Sequence, residues 1–69
     1  MKLLPDTDLP GGDYTSFSTT GLSYCTNACG NDTRCKAFTF NPRTNLCWLK
    51  STVNPPSNSP GATSGIKYY

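Results

Sequence analysis

Hydrophobic residues in this chain occur in short runs separated by long polar stretches. Between residues 20 and 30 the apolar side chains recur at helical spacing and share one face: Leu22, Cys25, Ala28 and Cys29. Thr20 is the expected N-cap, and Gly30 suits the position after a helix end, where a positive φ is favoured. The pattern therefore predicts a helix of two to three turns over residues 21–29.

Three other segments have the composition of β-strands, with β-branched and aromatic residues between turn formers. They are residues 13–17, 35–40 and 46–50, and residues 64–69 regain this character after a polar stretch. The sequence Asn-Pro-Arg-Thr-Asn at 41–45 is rich in turn-forming residues and predicts a hairpin loop. The chain is thus expected to contain one short helix and about four strands, the content of an α+β fold.

Two polar segments flank this central part. Residues 1–12 contain two prolines and a Gly-Gly pair, and residues 51–64 are rich in serine, threonine, asparagine and proline. We predict an irregular lead-in for the first and a long surface loop for the second. A chain of 69 residues makes one domain, here residues 1–69 with a core of about 9–67.

All four cysteines lie in residues 25–47, with the spacing C-x3-C-x5-C-x11-C. Cys25 and Cys29 stand one helical turn apart with parallel Cβ vectors, so a bond between them is disfavoured. A nested pairing, Cys25–Cys47 with Cys29–Cys35, and a crossed pairing, Cys25–Cys35 with Cys29–Cys47, remain. We favour the nested form because Cys29 and Cys35 flank a short turn. The chain has no histidine and no C-x2-C knuckle, so disulfides fit this spacing better than zinc.

A chain of this length has a marginal core, and two disulfides add stability comparable to that of a whole small domain. The prediction is a small disulfide-stapled α+β domain, with one short helix packed on an antiparallel β-sheet. Disulfides place it in an oxidising compartment, so we expect a secreted, extracellular, periplasmic or luminal protein.

A net charge of +2 is too small to indicate nucleic-acid binding. No apolar run approaches the ~20 residues of a membrane span.

The register of the hairpin decides which side chains share a face of the sheet. A loop over residues 41–45 would set three pairs on one face: Phe40 with Leu46, Phe38 with Trp48, and Lys36 with Lys50. The other face, which must look at the helix, would carry Cys35, Ala37, Thr39, Cys47 and Leu49. The first face would therefore point away from the helix, with two lysines at its exposed end.

Such a large apolar face is either covered by the rest of the chain or open to bind a ligand. We expect the covered form, with the basic residues left outside as the contact surface. The candidate ligand-binding residues are Lys36, Trp48, Lys50, Arg34 and Arg43. Trp48 could stack on a sugar ring, and the basic residues would attract an acidic partner.

The sequence contains few residues of the types that enzymes use for catalysis. Without histidine, with cysteines in disulfides and with no phosphate-binding loop, we expect no enzyme, no cofactor and no metal site. A binding module for proteins or carbohydrates fits better, and the alternative is a structural repeat unit of an extracellular assembly. Asn31-Asp32-Thr33 is an N-glycosylation sequon on the turn after the helix, so Asn31 should be exposed.

An ordered set of motifs resembles the PAN/apple domain family, and most closely its short microbial form. The matching segments are Leu9–Tyr14, Phe17, Cys25-x3-Cys29, Asp32-x-x-Cys35 to Phe40, Cys47–Lys50 and Ser64–Lys67. The resemblance implies a helix cradled by an antiparallel sheet, with disulfides Cys25–Cys47 and Cys29–Cys35. It also implies protein–protein or protein–carbohydrate contacts, as in the modules of adhesins. The third disulfide of apple domains has no counterpart here, and no ligand residue is carried over.

Overall fold

The computed structural model describes residues 1–67, so the end of the predicted last strand, Tyr68 and Tyr69, lies outside the described residues. Its elements in chain order are β1 (Lys2–Asp8), β2 (Asp13–Ser18), α1 (Leu22–Gly30), β3 (Ala37–Asn41), β4 (Leu46–Lys50) and β5 (Ser57–Ile66). The strands form one antiparallel sheet in the order β1-β5-β3-β4-β2, and α1 packs on β3 and β4. The predicted α+β class, one helix on an antiparallel sheet, is confirmed.

The helix occupies nearly the predicted residues, but both predicted ends are wrong. Gly21 is the N-cap, and within residues 1–67 no side chain makes a capping hydrogen bond, so Thr20 does not have that role. Gly30 is the last helical residue, and Asn31 follows it in a right-handed conformation. The end is closed by backbone bonds from Asn31 N to Asn27 O, at 3.0 Å, and from Asp32 N to Cys29 O, at 3.3 Å. A positive φ is therefore not needed there.

Both polar segments contribute strands, contrary to the predicted lead-in and loop. β1 pairs with β5 from Lys2↔Ile66 to Asp8↔Ser57, and this pair forms one edge of the sheet. Most side chains of the two strands are exposed or half-buried, so neither segment shows the apolar alternation by which a strand is recognised.

The pairing of β1 with β5 is interrupted in its middle. Pro5 pairs with Thr63 and Thr7 with Asn58, so Asp6 alone faces residues 59–62, which we call the β5 bulge. Asp6 has a φ of 52° and Gly61 a φ of 92°. The Asp6 carboxylate accepts a hydrogen bond from the Gly61 backbone N at 3.0 Å, which holds the bulge against β1.

The register predicted for the hairpin is wrong by one residue. The observed pairs are Asn41↔Leu46, Phe40↔Cys47, Thr39↔Trp48, Phe38↔Leu49 and Ala37↔Lys50. The turn is shorter than predicted because Asn41 belongs to β3 and Asn45 adopts a φ of 55°. A shift of one residue moves the side chains of one strand to the opposite face. Phe38 and Phe40 therefore face the helix, and Thr39 lies beside Trp48 on the other face.

The helix-facing side of the sheet holds the core and both disulfides. The structure joins Cys25 to Cys47 and Cys29 to Cys35, the nested pairing that the sequence favours. The first bond ties α1 to β4, and the second closes the turn between α1 and β3. The buried side chains of this cluster are Cys25, Cys29, Cys35, Phe38, Phe40, Cys47 and Leu49.

The opposite side, which we call the far face, is crossed by a connection from one edge of the sheet to the other. Residues 9–12, the strap, must make this crossing because β1 and β2 are the two edge strands. Leu9 is fully buried, and its N donates to Thr39 Oγ1 at 3.5 Å. Farther along, Lys50 Nζ donates to Gly11 O at 3.2 Å and Ser51 N to Gly12 O at 3.0 Å. These bonds fasten the strap across the sheet.

Candidate functional site

A cavity of about 340 Å³ opens on the far face, between the strap and the β5 bulge. Strands β3 and β4 provide its floor, the strap and its flanking residues provide one wall, and the bulge provides another. The residues that line it are Asp8, Pro10, Gly11, Asp13, Thr39, Asn41, Trp48, Lys50, Ser59 and Ala62. Its size is within the range of small-molecule sites, which begins at about 300 Å³.

The floor of the cavity is set by the register of the hairpin. Thr39 pairs directly with Trp48, so both side chains stand on the far face. Thr39 Oγ1 lies 2.8 Å from Ser64 Oγ, which donates to Thr7 O at 2.7 Å. This chain of hydrogen bonds joins the floor to β1 and satisfies the buried hydroxyls.

Trp48 is half-buried and is the aromatic residue of the cavity. The predicted apolar face that combines Trp48 with Phe38 and Phe40 does not form, because both phenylalanines are in the core on the helix side. Trp48 instead lies beside polar groups, among them Thr39 and Asn41. The face is therefore neither fully covered nor an open apolar surface.

Lys50 is a buried cation, with only 2% of its surface exposed. Its ammonium donates to the Asp13 carboxylate in an ion pair and to Gly11 O at 3.2 Å. The expectation that Lys50 faces Lys36 at an exposed end is wrong, because Lys50 pairs with Ala37 across the sheet. Its positive charge is balanced by Asp13, so the cavity gains little cationic character from it.

Three other polar residues of the cavity were missed by the sequence analysis: Asp8, Asn41 and Ser59. Asp8 is half-buried at the end of β1, and its carboxylate has no hydrogen-bond or ion-pair partner within the described chain. Asn41 Oδ1 accepts a hydrogen bond from Arg43 N at 2.9 Å. No motif connects these residues, since they converge only through the pairing of β1 with β5 and the bulge in β5.

Of the predicted ligand residues, the cavity includes Trp48 and Lys50 and not the others. Lys36 is exposed beside β3, and its backbone N donates to Lys50 O at 2.8 Å. Arg43 is exposed on the turn between β3 and β4, close to Gly61. Arg34 lies on the segment after α1. The predicted basic surface is thus divided among separate places, and ligand contact by these three residues stays a prediction.

Arg34 forms a compact cluster with Asp32 and Tyr14. Its Nε and Nη2 donate to the Asp32 carboxylate at 3.2 and 3.0 Å, and its Cζ lies 4.7 Å from the centre of the Tyr14 ring. Tyr14 Oη donates to Asp32 Oδ2 at 3.0 Å. The cluster ties edge strand β2 to the turn after the helix.

The electrostatics of this cluster shift the pKa of each member. Hydrogen bonds from Arg34 hold the pKa of the Asp32 carboxyl well below its usual range. Burial, followed by the hydrogen bond to Asp32, raises the pKa of Tyr14 to about 12. The carboxylate also raises the pKa of Arg34. The cluster therefore keeps its ion pair throughout the physiological range.

The sequon residue Asn31 is exposed on the turn that the Cys29–Cys35 disulfide closes. Its predicted exposure is confirmed, and its glycosylation stays a prediction.

Among residues 1–67, no helix has the length and apolar character needed to cross a membrane. Within the same residues, no three histidine, cysteine, aspartate or glutamate side chains are grouped as metal ligands.

The fold and the two disulfides agree with the comparisons to known proteins. A model of the PAN domain matches residues 7–50, which is more than half of the chain, so the chain belongs to the PAN domain family. This family consists of non-catalytic modules that bind proteins or carbohydrates, and its disulfide-bonded domains typically occur in extracellular proteins.

A relative from Acanthamoeba polyphaga mimivirus, an uncharacterized protein, is 37% identical over 59 residues. The match covers 84% of this chain and 17% of the relative. The chain thus spans about a sixth of the length of the curated relative that it matches. The likeness is therefore that of one module to part of a larger protein.

Proposed function

We propose that this domain is a secreted, non-catalytic module that binds a saccharide in the far-face cavity. The observation that carries the proposal is the half-buried Trp48 on the floor of a cavity whose other lining is mostly polar. An indole ring packs against the C–H face of a sugar, while hydroxyl, amide and carboxylate groups exchange hydrogen bonds with its hydroxyls. Asn41 and Ser59 provide such groups around Trp48.

The position of the cavity supports this function. Its floor is formed by the central strands β3 and β4, and β4 is bonded to the helix through Cys25–Cys47. A site on the central strands of a cross-linked sheet changes little on binding, so less conformational entropy is lost when the ligand is held.

The same disulfides support an extracellular location, where they persist. The module would then carry out adhesion as one part of a longer chain, in keeping with its match to 17% of its relative. The alternative is a structural building block, for which the exposed edges β1 and β2 could join neighbouring copies. The two functions differ in one measurable property, since only the first requires a ligand in the cavity.

The test is a glycan array, followed by calorimetry on the oxidised domain and two variants. Trp48→Ala removes the stacking surface, and we expect its affinity for any bound glycan to fall about tenfold. Tyr24→Ala is the matched control, because Tyr24 is an aromatic residue on α1 with 61% of its surface exposed. It should bind like the wild type.

Because Trp48 is half-buried, the fold of each variant has to be checked by circular dichroism before its affinity is interpreted. Trp48→Phe retains an aromatic ring and should restore part of the affinity that Trp48→Ala loses. Absence of glycan binding by the folded wild-type domain would contradict the proposal. Equal loss of affinity in Trp48→Ala and Tyr24→Ala would contradict the assignment to the cavity.

A further inference from the structure

The charge inside the cavity is opposite in sign to that of the whole chain. The chain has a net charge of +2, and its cavity is lined by two carboxylates, Asp8 and Asp13, and one cation, Lys50. The Lys50 side chain is 3% exposed and is paired with Asp13. Lys50 and Asp13 neutralise each other, and the negative charge of Asp8 is left unbalanced. The cavity therefore has a net negative charge.

Asp8 is also the member of the cavity with the most unused binding capacity. Its carboxylate can accept several hydrogen bonds, yet no described residue donates to it or forms an ion pair with it. It is half-buried, which weakens the competition from water for a partner. Because Trp48 lines the same cavity, a cation there gains attraction from the indole ring as well as from the carboxylate.

The basic residues that could reverse this charge lie elsewhere. Arg34 is engaged with Asp32 and Tyr14, and neither it nor Lys36 or Arg43 lines the cavity. Building on the proposed saccharide function, we infer that the cavity selects a sugar with a free, protonated amine. The amine pairs with Asp8, the ring stacks on Trp48, and sugars that carry a carboxylate or sulfate are disfavoured.

A lysine side chain of a protein partner has the same charge as an amino sugar. The lining of the cavity by Asn41 and Ser59 as well as Trp48 favours the sugar, whose hydroxyls can bond to these polar groups. The methylenes of a lysine chain cannot form hydrogen bonds with those polar groups. The experiment therefore includes a lysine derivative as a competing ligand.

The test is an NMR titration of the isotope-labelled oxidised domain at about pH 6, where the amine is protonated. The ligands are glucosamine, glucose, glucuronic acid and Nα-acetyl-lysine methylamide. We expect glucosamine to bind about tenfold more tightly than glucose at low salt, and glucuronic acid to bind more weakly than glucose. Added salt should reduce the difference between glucosamine and glucose.

Asp8→Asn should bring glucosamine and glucose to within about twofold of each other, since it removes the charge and keeps the shape. Asp32→Asn changes the net charge of the chain by the same amount outside the cavity, and it should leave the preference intact. A preference that survives in Asp8→Asn would overturn the inference. Tighter binding of the lysine derivative than of glucosamine would overturn it in favour of a basic peptide.

The failure of the inference can be distinguished from that of the proposed function. Glucose and glucosamine binding equally well, with Trp48→Ala weakening both, overturns the selectivity and leaves the saccharide function standing. No binding of any sugar by the folded domain, on the array and in the titration, removes the saccharide function itself. Chemical-shift changes confined to residues outside the cavity would overturn the placement of the site for both.

Discussion

The two faces of the sheet are built from different chemistry, although they share the same strands. On the helix side, Phe38 and the half-cystines are fully buried among apolar neighbours. On the far face the buried residues include Thr39, Lys50 and Ser64, each held by hydrogen bonds. One face is thus a small covalently tied core, and the other is a polar network.

The difference shows how a short chain can combine stability with a binding site. Apolar burial and cross-links on one face allow the other to keep polar groups, which contribute little net stability. Within residues 1–67, no buried side-chain nitrogen or oxygen is without a partner. The far face therefore tolerates a cavity, because its buried polar side chains already have hydrogen-bond partners.

The contrast between the two faces requires the helix side to contribute most of the free energy of unfolding. Phe38→Ala removes a fully buried ring from the core, and we expect a loss of about 3–5 kcal/mol in the free energy of unfolding. The ring lies close to Gly65, where an added Cβ would approach it to 2.3 Å, so the site is tightly packed. Denaturant unfolding measures the change, with the 48% exposed Leu3→Ala as the control. A loss below about 1 kcal/mol would contradict the assignment of the core.

The two disulfides should differ in their contributions. Replacing Cys25 and Cys47 together by alanine opens a loop with a sequence separation of 22, and the chain-entropy model gives a loss of about 3.4 kcal/mol. Replacing Cys29 and Cys35 opens a separation of 6, for about 2.4 kcal/mol. Thermal unfolding of both double variants, with mass spectrometry of the remaining bond, tests the order. The reverse order would show that loop length does not govern their effect.

On the far face the ion pair should respond asymmetrically to substitution. Asp13→Asn leaves the buried Lys50 ammonium without its carboxylate, and we expect a loss of about 2 kcal/mol. Lys50→Met leaves Asp13, whose side chain is 38% exposed, free to be hydrated, so the loss should be below about 1 kcal/mol. Urea unfolding of both variants measures the two losses. Equal losses of unfolding free energy in the two variants would mean that water reaches the Lys50 ammonium as readily as the Asp13 carboxylate.

The sequence predicts much of the helix side because its signals are local. Helical spacing places the inward residues of α1, and the short turn between Cys29 and Cys35 favours the pairing that the structure shows. The hairpin fails by one residue because loop length alone does not define register. The left-handed Asn45 and the inclusion of Asn41 in β3 decide it, and the phenylalanines then lie in the core.

The candidate site is much less predictable from the sequence. Trp48 and Lys50 can be singled out by residue type, but their neighbours depend on contacts between distant residues. The strap reaches the cavity because β1 and β2 are opposite edges of the sheet. Asp8 and Ser59 meet there through a polar strand pair that shows no hydrophobic alternation. Such pairings are determined by tertiary structure, so no local pattern indicates them.

The smallest expected effect concerns the cluster that joins edge strand β2 to the helix side, and it depends on pH. The pKa of Asp32 is lower in the folded protein than in the unfolded chain, because Arg34 and Tyr14 donate hydrogen bonds to its carboxylate. The unfolded chain therefore binds a proton at a higher pH than the folded one. The stabilisation is complete above the unfolded pKa of about 4 and is lost as the pH falls through the lower folded pKa.

Asp32→Asn should therefore lower the melting temperature at pH 7, and the difference from the wild type should shrink as the pH is reduced below about 4. Melting curves of both proteins across this range measure it. Asp6→Asn is a control for the lost negative charge, because Asp6 accepts a backbone hydrogen bond from Gly61 but forms no ion pair within residues 1–67. A difference between wild type and Asp32→Asn that stays constant down to pH 2 would show that the cluster acts through shape alone. The edge strand would then be held to the helix side by packing of Tyr14, without help from the charge of Asp32.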